Sequence, residues 1–98
     1  MATRKEIERA LRHLAPKLPD HEFGAIADHA MDRPVLHNAT PETAAWLSLV
    51  SYVRHVFTDY DSLLDDGYDP ESARYFVASD IEAVLKEWGV KRGLNSGE

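Results

Sequence analysis

The chain has 98 residues, 44% of them apolar and 29% charged, with a formal net charge of −6 and no cysteine. That length is one domain near the commonest size, with apolar content for one core and not for two. The composition excludes disulfide and thiolate chemistry, and an acidic total repels the phosphates of nucleic acid.

No apolar run approaches the roughly 20 residues of a membrane span. Met1 to Lys5 leads into a charged helix and not into the apolar stretch of a signal peptide. A cytoplasmic protein with no membrane association is expected. Thr3 and Glu6 have capping-box spacing, in which each side chain satisfies the other's free backbone N–H. Ile7, Leu11 and Leu14 then fall on one helical face, and Lys5, Arg9 and Arg12 on the opposite one. Pro16 and Pro19 bracket the exit. The basic stripe reads either as a surface for an anionic partner or as a solvated outer face.

Asp20 is the expected N-cap of a second helix, with Glu22 in its first turn. Phe23, Ile26, Ala27, Ala30 and Met31 make its apolar stripe, and Gly24 suggests a close helix contact. The helix stops before Pro34, because the residue preceding proline disfavours the helical region. Val35 to Ala39 is expected to be a loop. Thr40-Pro41-Glu42 starts a third helix: a cap, a proline at the first helical position, and an acid in the first turn. From Ala44 to Phe57 this helix is apolar on nearly every side, so neighbours must cover it all round. It is expected to be the centre of a bundle.

Thr58 and Asp61 again have capping-box spacing, Leu63 and Leu64 give an apolar edge, and Gly67 is a natural stop. Asp69-Pro70-Glu71 repeats the earlier start signal. Ala73, Phe76, Val77, Ile81, Val84, Leu85 and Trp88 then follow helical spacing, and Gly89 ends the last helix. No segment alternates with the period of a strand. The expectation is an all-α, compact orthogonal bundle of four to five helices over residues 1–92, with a flexible tail over 93–98.

The chemistry-bearing residues concentrate at the end of the central helix: Arg54, His55, Thr58, Asp59, Tyr60 and Asp61. Six carboxylates lie between Asp59 and Glu71. A calcium loop beginning at Asp59 would need Gly at its sixth position and Glu at its twelfth. Leu64 and Pro70 stand there, and a start at Asp61 finds Asp66 and Ser72. His55 and Asp59 are i, i+4 if the helix continues, close enough to share a metal ion or a hydrogen bond. A site reading makes His55 a ligand or general base oriented by a carboxylate. A structural reading pairs Arg54 with Asp61 or Asp80 and makes the cluster a helix junction. Two ligands fall short of the three protein ligands usual for catalytic zinc. His29 with Asp28 and Asp32 is a second, thinner cluster, and His13, His21 and His37 have no ligand spacing. There is no phosphate loop, nucleophile elbow or H-E-x-x-H sequence.

The string Arg54-His55-x-x-Thr58-x-Tyr60-Asp61-x-Leu63-Leu64-x-x-Gly67, followed by Ala73-Arg74, Val77, Ile81, Val84-Leu85 and Trp88, resembles an uncharacterised bacterial family, domain of unknown function 2293. The resemblance covers Ala44 to Trp88 and takes in the second helix loosely. It implies a compact helical domain and brings no activity, cofactor or partner. No catalytic residue, metal or cofactor is therefore assigned. The leading expectation is a protein-interaction or regulatory module, binding a protein partner or itself. The alternatives are a metal-dependent hydrolase using His55 with Asp59 or Asp61, and nucleic-acid binding through the basic first helix, which the net charge disfavours.

Overall fold

A computed structural model describes residues 2–36 and 38–94. Five α-helices follow one another: α1 (Arg4–Leu14), α2 (Asp20–Met31), α3 (Pro41–Phe57), α4 (Tyr60–Asp65) and α5 (Pro70–Glu87). There is no strand among the described residues. The fold is all-α, with a radius of gyration of 13.2 Å, near the value of about 13 Å for a folded chain of this length.

The start signals act where local chemistry is complete. Thr3 Oγ1 accepts from the Glu6 N–H at 3.2 Å while Glu6 Oε1 accepts from the Thr3 N–H at 2.9 Å. Thr40 accepts from the Thr43 N–H at 3.2 Å, and Asp69 from the Ser72 N–H at 2.8 Å. Asp20 departs from expectation. Pro19 holds the cap position with no side-chain cap bond, and Asp20 is the first helical residue. The acid acts there only through the helix dipole.

α3 touches α1, α2, α4 and α5, so it is the central helix. Ala44, Ala45, Trp46, Leu49, Val50 and Val53 are buried on it. Ile7 and Leu11 of α1, Ile26, Ala27 and Ala30 of α2, and Val77, Ile81 and Leu85 of α5 complete the core with Trp88. Ser48 is also fully buried, and its hydroxyl has no hydrogen-bond partner among the described residues.

Several expectations are corrected. Val35 to Ala39 is not a plain loop: Pro34–Leu36 is a 3-10 turn that buries Leu36, while His37 lies outside the described residues. Gly24 marks no close contact, since a Cβ there would meet nothing within 4 Å. Met31, Val56 and Phe57 are partly exposed at helix ends, where the neighbouring helices no longer cover them. Phe76 is 56% exposed. At about 100° per residue it stands roughly 110° from the middle of the Ala73–Trp88 stripe, outside the arc the buried residues span. Of the expected tail, Leu94 is half-buried and packs against the core, and residues 95–98 lie outside the described residues.

Two glycines do what the spacing predicts. Gly67 (φ 101°) and Gly89 (φ 84°) follow α4 and α5 in left-handed conformations. In each case two backbone bonds close the helix end: Tyr68 N–H to Leu63 and Gly67 N–H to Leu64, then Val90 N–H to Leu85 and Gly89 N–H to Lys86. This is the Schellman arrangement. It turns the chain sharply out of α4, and so places Tyr68 against the start of α5.

Candidate functional site

The sequence-singled residues from Arg54 to Asp61 meet where α3 hands over to α4. α3 ends at Phe57, and Thr58 is extended (φ −133°, ψ 171°). The capping box expected from Thr58 and Asp61 does not form. Asp59 takes the cap position of α4 without a side-chain cap bond. Thr58 instead stitches the two helices: its hydroxyl donates to the Arg54 carbonyl and accepts from the Tyr60 N–H at 3.2 Å.

Because the helix stops at Phe57, Asp59 does not stack one turn above His55. The turn brings Asp61 round instead, and His55 Nδ1 pairs with Asp61 Oδ2. Both groups are open to water, with side chains 73% and 53% exposed. Arg54 is likewise not paired with Asp61 or Asp80, since no carboxylate lies within ion-pair distance of it among the described residues. Asp61 is already engaged by His55, and the Arg54 guanidinium lies over the Tyr60 ring, 4.8 Å from its centroid. The junction therefore has a stacked pair, Arg54 on Tyr60, and a charged pair, His55 with Asp61. Asp59 is exposed.

No three of His, Cys, Asp and Glu are placed to share a metal ion among the described residues. His55 and Asp61 supply two groups, and both face open solvent. A general base needs a substrate held within hydrogen-bond reach, and exposure of this degree provides no walls for one.

The second cluster is assembled differently from expectation. Asp28 is drawn away to Arg4 at 2.6 Å. His29 Nε2 meets Arg33 Nη1 at 3.3 Å, and the same nitrogen donates to Ser51 Oγ at 3.3 Å. Arg33 thus clasps α2 to α3. Burial, then the Arg33 and His55 charges, pull the His29 pKa down from its ordinary value, with Asp32 opposing. The Arg33 guanidinium beside His29 repels a cation, and Asp28 is taken by Arg4, so the three residues of the cluster do not converge.

The sequence reading passed over an aromatic face. Tyr68, Tyr75 and Phe76 are 46%, 80% and 56% exposed. Their rings touch in sequence: Tyr68 to Phe76 at 5.5 Å, and Phe76 to Tyr75 at 5.9 Å, both edge-on. The available signal was angular, since Phe76 falls outside the arc of the α5 stripe and Tyr75 lies nearly opposite it, roughly 150° from its middle. Beside Tyr75 a shallow pocket of about 190 Å³ opens between α3 and α5, floored by Val50, Ile81 and Leu94. A larger open groove of about 520 Å³ runs between α1 and the start of α3. Its charged lining is mixed, Glu6 and Glu42 against Arg9 and Arg92, so it favours neither sign of ligand.

The family model described as "Uncharacterized conserved protein (DUF2293)" matches residues 10–89, a span that takes in the junction and the aromatic face. No curated protein and no solved structure matches the chain.

Proposed function

The chain belongs to the family DUF2293, and from that premise we propose that it is a protein-binding module whose contact surface is the face carrying Tyr68, Tyr75 and Phe76. The observation that carries this reading is the exposure of three rings joined edge-on, Tyr68 and Tyr75 each against Phe76, on a chain whose other large side chains mostly find cover. Aromatic side chains are enriched at protein interfaces and supply their anchors. A contiguous exposed apolar patch marks a contact site more often than a scattered one.

On this reading the cluster from Arg54 to Asp61 is the scaffold of the surface and not its chemistry. Thr58 and the His55–Asp61 pair fix the angle at which α4 leaves α3, and α4 delivers Tyr68 to its place beside Phe76. The hydrolase reading has only two exposed groups to work with.

The test places a photo-crosslinking residue at Ser79, exposed one turn beyond Tyr75 on α5. In cells the parent is expected to give a discrete protein adduct. The same probe in a chain bearing Tyr75→Ser and Phe76→Ser should lose it while melting as the parent does. An adduct indifferent to both substitutions, or none at all, rules the surface out.

A further inference from the structure

The chain's nine aromatic side chains divide into three groups by what lies against their rings. Phe23, Tyr60 and Trp46 each carry an arginine: Arg12 at 4.3 Å, Arg54 at 4.8 Å and Arg92 at 4.3 Å from the ring centroid. Tyr52, Phe57 and Trp88 lie against one another, at 6.3 and 5.5 Å. Tyr68, Tyr75 and Phe76 touch each other but stay exposed. Among the described residues, no guanidinium or ammonium is seated on any of these three.

Most of the border of that third group is acidic, and two cations, Arg54 and Arg74, line the pocket on the far side of Tyr75 with Glu71. Asp65 and Asp66 precede Tyr68, Glu71 stands one turn before Tyr75, and Asp80 one turn after Phe76. All four are exposed, and none makes an ion pair among the described residues. From Asp59 to Leu85 the sequence holds eight carboxylates and a single cation, Arg74.

Ring faces with free carboxylates around them are the chemistry that receives a guanidinium. The negative face of the ring attracts the cation, and the flat group stacks on the ring while its N–H fork reaches a carboxylate. An ammonium is more strongly hydrated and does not stack. We propose that the Tyr68–Tyr75–Phe76 face takes arginine side chains from a basic segment of a partner protein. This inference rests on the interaction reading above and names the chemistry of its partner. The chain already joins arginine to an aromatic ring three times within its own fold, and the partner supplies arginines to three rings on which none is seated among the described residues.

The test titrates isotope-labelled protein, followed by NMR, with a short peptide of Arg-Gly-Gly repeats. Lysine and citrulline versions of the same length serve as comparisons. The arginine peptide is expected to shift the resonances of Tyr75 and Phe76, with the other two binding at least about tenfold more weakly. Tyr75→Ser with Phe76→Ser should remove that preference without changing the melting temperature, and Tyr75→Ser alone should reduce it. Arginine and lysine peptides that bind alike, in parent and variant equally, would overturn the inference in favour of charge alone. Shifts confined to another surface would overturn it as well. Self-association through this face in sedimentation, undisturbed by the peptide, would replace the partner with a second copy and leave the interaction reading standing. No peptide binding together with no crosslinked adduct would remove both.

Discussion

The backbone N–H of Lys17 donates to the carbonyl of Trp88 at 2.9 Å, which ties the loop after α1 to the end of α5. The tie brings Gly89 against Pro16: a Cβ at Gly89 would lie 3.1 Å from Pro16 Cγ, a ring atom that must give by a few tenths of an ångström to admit it. Gly67 has open space around it. Gly67→Ala therefore suffers only backbone strain, about 1–2 kcal/mol. Gly89→Ala suffers that and a tight contact with the Pro16 ring, and its urea midpoint should fall further. Equal midpoints would mean that the loop gives way freely.

Trp88 is 5% exposed and lies nearly perpendicular to the Phe57 ring at 5.5 Å; Trp46 is 2% exposed. Truncating either to Ala should cost about 3–5 kcal/mol, a large share of the roughly 5–15 kcal/mol a domain holds. Thermal melts check it. A shift of only a few degrees would mean that the surrounding core collapses into the space.

Ser48 carries a fully buried hydroxyl with no partner among the described residues. A desolvated polar group left unpaired costs about 1–3 kcal/mol. Ser48→Ala should accordingly raise the melting temperature. A lowered one would show that the hydroxyl is satisfied in solution.

At the junction, Thr58→Val keeps the shape of the side chain and removes both of its hydrogen bonds. A loss of about 1–3 kcal/mol is expected. His55→Ala removes only a solvent-exposed pair, for which about 0–1 kcal/mol is usual. Chemical denaturation of the two variants should rank them in that order, and the reverse order would make His55 the principal tie.

His29 contributes a pH dependence. Its pKa is lowered in the fold by burial and by the Arg33 and His55 charges, with Asp32 opposing, so the unfolded chain takes up its proton first as pH falls. The associated stability is full above the ordinary value of 6.5 and is lost as pH falls through the lower folded value. Between pH 7.5 and 5 the parent should lose more melting temperature than His29→Gln, measured side by side. Parallel losses would place the titration elsewhere.

The helices were legible because their causes are local. Thr3, Thr40 and Asp69 cap within one turn of themselves, and Gly67 and Gly89 mark ends that only a left-handed residue allows. The centrality of α3 followed from its having no wholly polar side. What the sequence hid depends on direction after a turn. His55 and Asp59 share a face only if the helix runs on past Phe57, and it does not. Arg54 offered several acids on spacing alone, yet stacks on Tyr60, because sequence separation does not show which partner is already taken. The angle of Phe76 about α5 could be read from its spacing, but that Tyr68 comes to lie beside it depends on the turn at Gly67.

α4 has six residues, and none of them is buried. Its attachments are Thr58 and the His55–Asp61 pair at one end and the Gly67 turn at the other, with only Tyr60 and Leu63 packed, half-buried, against the core. Segments with few buried contacts open without waiting for global unfolding. Deuterium should enter the amides of α4 long before those of α3, whose buried residues release only when the whole domain does. Each such opening carries Tyr68 away from Phe76 and dismantles the aromatic face for a moment, so protection of the α4 amides measures how often that face is whole.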